Sequence, residues 1–315
     1  MFEKRYYRFI LNLFIVLIIG VTLALTLLFF FHGDDRDDDK DDVDGKSLQE
    51  YVADYRKTVE DSEYIMHALG GMDGEKSYIN SIDCLELKYS EGYRLFEADV
   101  SFTSDGVLVL AHSGEDNIWT ENDWELRLGQ EYPLDDSDKH LCTYEEFMGF
   151  KIQGEYTATS LAELFEFMKQ HTDMYVMIDA GHRSYEDTLE YYRVLVETAN
   201  GQTDILNRLI AGGQTTEMVR AARECYDFPL INLYYDSDEK REDIIATPEK
   251  FVDYCKQENI ISFSTAKEYY TEEAAEVLSG EDSGLISYIF TINDITEAEL
   301  MKTRGADIIG TDFLK

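Results

Sequence analysis

The chain has 315 residues, 44% of them hydrophobic, enough for one large domain or two small ones with a substantial core. With 28 Lys and Arg against 65 Asp and Glu, its net charge of −37 argues against nonspecific attraction to nucleic acid or to anionic lipid. Cys84, Cys142, Cys225 and Cys255 stand far apart, without a CxxC pair or a His at zinc spacing, and read as core or incidental thiols.

Residues 9–31 carry no charge and include only Asn12, Gly20 and two threonines among their less apolar members. At a rise of about 1.5 Å per residue such a run crosses a hydrocarbon core of about 30 Å, so one transmembrane helix is expected. Lys4, Arg5 and Arg8 precede the run and a dense aspartate block, from Asp34 to Asp44, follows it. That asymmetry predicts a single-pass cell-membrane protein with a cytoplasmic N-terminus and the remainder outside. The run is longer than the apolar core of a cleaved signal, and no small-x-small site follows it. The aspartate block reads as an extended, self-repelling tether. The chain thus divides into a cytoplasmic stub and anchor (1–31), an acidic linker with a lead-in helix (32–62) and a globular unit (63–315).

Within that unit, β-branched and aromatic runs alternate with amphipathic helical stretches, the mark of parallel βαβ units. The runs are 64–68, 95–100, 107–111, 175–178, 209–211, 230–233, 260–263, 288–292 and 307–309. About 250 residues of this pattern fit a (β/α)8 TIM barrel, which leaves nine runs for eight places. The run at 260–263 is expected to be the short or irregular one. Helix starts are expected at Ser160 with Glu163, at Thr296 with Glu299, and at Thr247 with Pro248. Residues 113–159, acid-rich and carrying Trp119 and Trp124, break the rhythm and read as an insertion at the catalytic end.

In such a barrel the strand C-termini converge on one mouth. The first run reaches His67, the second holds Glu97 and Asp99, the third leads to His112, and the fourth ends at Asp179. Glu97 and Asp99, two apart, share one face of a strand. Three carboxylates without cysteine suit a hard divalent ion, Ca²⁺ or Mg²⁺. Two flanking imidazoles suit general base and general acid near neutral pH. Any one of these residues alone is most often structural; five converging on one barrel end are what an active site requires.

The same residues carry a resemblance. The stretch His67-Ala68-Leu69-Gly70-Gly71, then Asn80-Ser81, Phe96-Glu97-Ala98-Asp99-Val100, and the segment from Thr103 to His112 resemble the N-terminal signature of glycerophosphodiester phosphodiesterases, within the phosphatidylinositol-phospholipase-C-like superfamily. Phe290-Thr291-Ile292-Asn293 and Gly305-Ala306-Asp307-Ile308-Ile309-Gly310-Thr311-Asp312 resemble its last two strand motifs. The resemblance covers roughly 63–315. It implies His67 and His112 as the acid/base pair, Glu97, Asp99 and Asp179 as metal ligands, and Asn80, His182, Arg183 and Asn293 as candidate substrate contacts. Asp179 stands where a glutamate is usual, Ala68 where an arginine follows the first histidine, Ser113 where an aspartate follows the second, and Gly181 where a lysine is expected. His182, Arg183 and the amides of the Gly70-Gly71 turn are the candidates to replace the lost cations.

The function this implies is metal-dependent hydrolysis of glycerophosphodiesters, lipid headgroups or polyol-phosphate polymers at the cell surface. Two other readings stand beside it. One is a phospholipase-type lyase that forms a cyclic phosphate; the other is a catalytically impaired barrel that acts as a surface binding protein, for which the missing Arg and Lys speak.

Overall fold

The computed structural model describes residues 46–72, 76–238 and 244–315; the apolar run 9–31 and the aspartate block lie outside the described residues. Among the described residues, no helix is long and apolar enough to cross a membrane.

Eight parallel strands form the barrel wall in the order β1 (Tyr64–Met66), β2 (Leu95–Phe102), β6 (Tyr175–Asp179), β7 (Leu209–Gly213), β8 (Leu230–Tyr234), β9 (Ser262–Ala266), β10 (Ile286–Phe290) and β11 (Ile308–Thr311). The wall closes because β1 pairs with both β2 and β11. Helices between the strands cover its outside, giving the expected TIM-barrel architecture.

The surplus strand is not the one expected. Residues 262–266 form a full barrel strand, in register with β8 on one side and β10 on the other. It looked irregular in sequence because Ser262 and Ser264 point into the barrel, whereas Phe263 packs outward against Phe251 and Tyr270. The extra strand is instead β3 (Leu108–Leu110), which runs antiparallel to β2 with Val100 opposite Leu110 and Phe102 opposite Leu108. Loop length decides this. A parallel return needs about 10–12 residues, whereas Gly106, at φ +81, turns the chain within a few, and Val107 N–H donates to Thr103 Oγ1 at 3.1 Å. The hairpin still delivers His112, because β3 descends toward the level of the carboxylates.

Strand parity explains why one end of the barrel is inert and the other reactive. Residues two apart share a face. Ile65 and His67, Leu95, Glu97 and Asp99, Tyr175, Met177 and Asp179, and Ile308 and Asp312 therefore each pass from apolar at the base to titratable at the mouth. The base is plugged by helix Leu48–Glu60, whose Tyr55 and Val59 pack on Ile65, Leu95, Tyr175 and Ile286, and whose Tyr55 hydroxyl bonds that of Tyr288. Each apolar side chain fully buried there contributes about 1.5–3 kcal/mol.

The expected helix starts hold in part. Ser160 and Glu163 close a reciprocal capping box, and Pro248 opens its helix after Thr247, though Thr247 makes no side-chain cap. The last helix begins earlier than expected, at Ile295, because Asp294, a stronger cap than Thr296, accepts from Glu297 N–H at 2.9 Å.

Residues 113–159 carry a π-helical turn (Asp123–Leu128), a short helix (Tyr144–Met148) and the two-stranded hairpin β4 (Lys151–Ile152) and β5 (Tyr156–Thr157). Trp119, Trp124 and Phe147 form its core, with Trp119 ring centres 5.7 and 5.9 Å from the other two. Trp119 Nε1–H donates to Ser101 Oγ at 3.1 Å and so fastens the segment to β2.

Candidate active site

Parallel register places Asp99 of β2 beside Asp179 of β6, and Glu97 lies two residues back on the same face. One oxygen from each of the three carboxylates lies within 4.8 Å of the others. Each is braced: Glu97 accepts from Ala68 N–H at 2.7 Å, Asp99 from Asn80 Nδ2 at 2.8 Å, and Asp179 from Gly181 N–H at 2.7 Å. Ala68 holds its N–H there at φ +48, a left-handed conformation costly for a residue with a Cβ. Burial, then the charge of Asp99, drives Glu97 well above the usual carboxylate range and Asp179 in the same direction. Crowded carboxylates of this kind, all oxygen donors and without a thiolate, fit a hard divalent cation.

The two histidines are held alike. Because Met66 pairs with Thr311, the next residues on β1 and β11 meet, and His67 Nδ1–H donates to Asp312 Oδ1 at 2.9 Å. His112 Nδ1–H donates to Asp123 Oδ1 at 2.7 Å, and Arg127 Nη1 donates to the same oxygen. Thr120 fills the other Asp123 oxygen with its N–H at 2.7 Å and its hydroxyl at 2.6 Å. Asp312 occupies Nδ1 of His67, and Asp123 with Arg127 crowds Nδ1 of His112, which leaves Nε2 of each ring for chemistry. Tyr78 stands between the rings, edge-on to both, with centres 4.7 Å from His67 and 5.9 Å from His112.

Burial pulls the His67 pKa down, but the Asp312 bond and the charges of Glu97, Asp312 and Asp99 outweigh it and raise it to about 9. The extra proton affinity stabilises the fold fully below 6.5 and is lost as pH rises through about 9. Asp312→Asn removes part of this, so with metal stripped it is expected to lower the melting temperature more at pH 6 than at pH 10. An equal loss at both pH values in thermal melts would dissociate Asp312 from the His67 charge.

Of the four residues expected to touch substrate, three are engaged in hydrogen bonds within the protein. Asn80 donates to Asp99 Oδ2 and accepts from Asp99 N–H, so both ends hold a carboxylate. Asn293 donates to Asp312 Oδ2 at 2.8 Å and accepts from Thr311 Oγ1 and Asp312 N–H. Arg183 is 3% exposed and donates to Ala180 O and Asn117 Oδ1, a brace beneath the mouth rather than a contact within it. His182 alone of the four lines a cavity at the carboxylates, together with Asp99, His112 and Asp179. The Gly70 and Gly71 N–H groups donate to His67 O and Asp312 O, which rules out that turn as a phosphate cradle. Asp312 lay in a quoted motif, but nothing local named its partner. Asp123, Arg127 and Tyr78 sit in segments without periodicity and gave no sequence signal.

Two cavities flank the carboxylates. One of about 300 Å³ takes in His67, Glu97, Met177, Asn232, Tyr234 and Phe290; the other, about 210 Å³, takes in Asp99, His112, Ser113, Glu115 and His182. They share Asp179, Gly181 and Gln214. A phosphodiester has this form: a central anion with an alcohol on either side.

A barrel mouth that sets an acidic trio between two imidazoles holds the groups that cleavage of a phosphodiester requires. Residues 74–315 match the model of the glycerophosphoryl diester phosphodiesterase family, and the chain belongs to that family and is a phosphodiesterase of it. No curated protein matches it in sequence. A glycerophosphodiester phosphodiesterase from Parabacteroides distasonis shares its fold at a TM-score of 0.59 and 18% identity, over 79% of this chain and 92% of that one. A putative glycerophosphodiester phosphodiesterase from Galdieria sulphuraria aligns at 0.63 and 15%, over 80% and 94%. An Oleispira antarctica phosphodiesterase, solved with the product sn-glycerol-3-phosphate, aligns at 0.57 and 17%, over 80% and 93%.

Proposed function

We propose that this chain is a metal-dependent hydrolase of glycerophosphodiesters, lipid headgroups or polyol-phosphate polymers, working by His/His acid-base catalysis. The observation that carries the reading is the meeting of Glu97, Asp99 and Asp179 within 4.8 Å, between two aspartate-held histidines. A divalent ion, Ca²⁺ or Mg²⁺, held by those carboxylates would offset the phosphate charge. One of His67 and His112 takes the proton of the nucleophile at Nε2, and the other gives a proton to the leaving oxygen. The nucleophile is a hydroxyl adjacent to the phosphate in the substrate, or water. An intramolecular hydroxyl gains a large effective molarity and yields a cyclic phosphate that water then opens. The bracing of all five groups favours an active enzyme over a binding protein derived from one. Release of sn-glycerol 3-phosphate from a glycerophosphodiester is expected on adding Mg²⁺ or Ca²⁺ to stripped protein. No release with either ion refutes the reading.

The same proposal places the barrel outside the cell membrane, tethered through residues 9–31. Protease added to intact cells is expected to digest the domain; protection until lysis would reverse the orientation.

A further inference from the structure

The mouth is acidic beyond its three carboxylates, since Asp312 and Asp123 stand behind the histidines. An anionic diester entering it is repelled unless positive charge lies on its path. Arg183 is buried and committed to Ala180 and Asn117, and Lys88 is buried and turned to Glu91. Arg127 is differently placed. It rises from the π-helical turn of the insertion, with Cζ over the Tyr78 ring, 4.5 Å from its centre. Its Nη1 donates to Asp123 and lies 2.7 Å from His112 Nδ1. The guanidinium thus touches His112 directly and is separated from His67 by the Tyr78 ring alone. The side chain is 24% exposed, and Nε and Nη2 donate to no group among the described residues. A guanidinium stacked on a ring with one N–H edge unused is preorganised to grip an oxyanion at two points.

We propose that Arg127 is a phosphate-binding residue of this site, its Nε and Nη2 edge contacting the nonbridging oxygens of the diester while Nη1 stays on Asp123. This rests on the phosphodiesterase reading above. It assigns the insertion a function, to carry a positive charge to the mouth.

The test is calorimetric titration of inorganic phosphate into the full chain preloaded with Mg²⁺, as wild type, Arg127→Ala and Arg127→Lys. Melting temperatures check folding, and Arg127→Gln replaces the alanine variant if that melts early. Loss of the side chain is expected to weaken phosphate binding about 10- to 100-fold while Mg²⁺ affinity holds. Lysine restores part of it, since an ammonium lacks the fork. If Arg127 merely steadies Asp123, the pH profile of kcat shifts while phosphate affinity stays at the wild-type value; that result overturns the proposal. A wild type that takes Mg²⁺ but no phosphate overturns the metal-dependent reading of the site beneath it as well.

Discussion

His67→Ala and His112→Ala are each expected to lower kcat on a glycerophosphodiester by about 10²–10⁴. The reason lies in how the rings are held. Asp312 and Asp123 occupy the two Nδ1–H groups, so each imidazole presents Nε2 as its exchangeable position. Neither ring is a packing element whose loss would collapse the barrel, because the core is built of the aliphatic and aromatic layers beneath and around them. The losses are not expected to add, since both groups serve one proton-transfer sequence, and the double variant should fall little below the weaker single one. Substrates with a hydroxyl next to the phosphate should react much faster than deoxy analogues. Equal rates for the two would indicate direct attack by water. Near-wild-type turnover in either histidine variant would remove the acid/base assignment.

Glu97→Gln is expected to raise the melting temperature in chelator at neutral pH while abolishing the further rise that Mg²⁺ or Ca²⁺ gives wild type. Burial and the charge of Asp99 lift the Glu97 pKa well above 4.5, so the folded state holds its proton more tightly than the unfolded chain does. The sign follows: stability falls as pH rises above 4.5, and at neutral pH the group opposes folding. The amide removes that cost and keeps much of the shape. Bound cation reverses the balance in wild type, by mass action on the folded state alone. Activity should be lost together with the ion-induced stabilisation. A variant destabilised in chelator, yet still stabilised by ion, would show that Glu97 is structural.

Much of this was legible because parity and register are local properties. Glu97 and Asp99 lie two apart on one strand, and Asp179 ends the next barrel strand, so their meeting followed once parallel pairing was assumed. The His67 position was equally readable as the end of a short apolar run. What escaped was non-local or polar. Strand β9 hid behind serines because its inward positions, Ser262 and Ser264, are small and polar, and β3 passed for a barrel strand because composition does not report direction. Asn80 and Asn293 looked like substrate contacts, yet both amides hold aspartates 19 residues away in sequence. The insertion was recognised as an interruption, but that it supplies Asp123 and Arg127 to His112 depends on a fold with no periodic signature.

If Glu97, Asp99 and Asp179 together hold a divalent cation at the barrel mouth, calorimetric titration of Mg²⁺ and Ca²⁺ into chelator-stripped wild type and Asp99→Asn will separate the two proteins. A single saturable site is expected in wild type and none in the folded variant, with phosphodiester turnover appearing in step with occupancy. Equal binding by the two proteins, or full turnover by wild type in chelator, would contradict it.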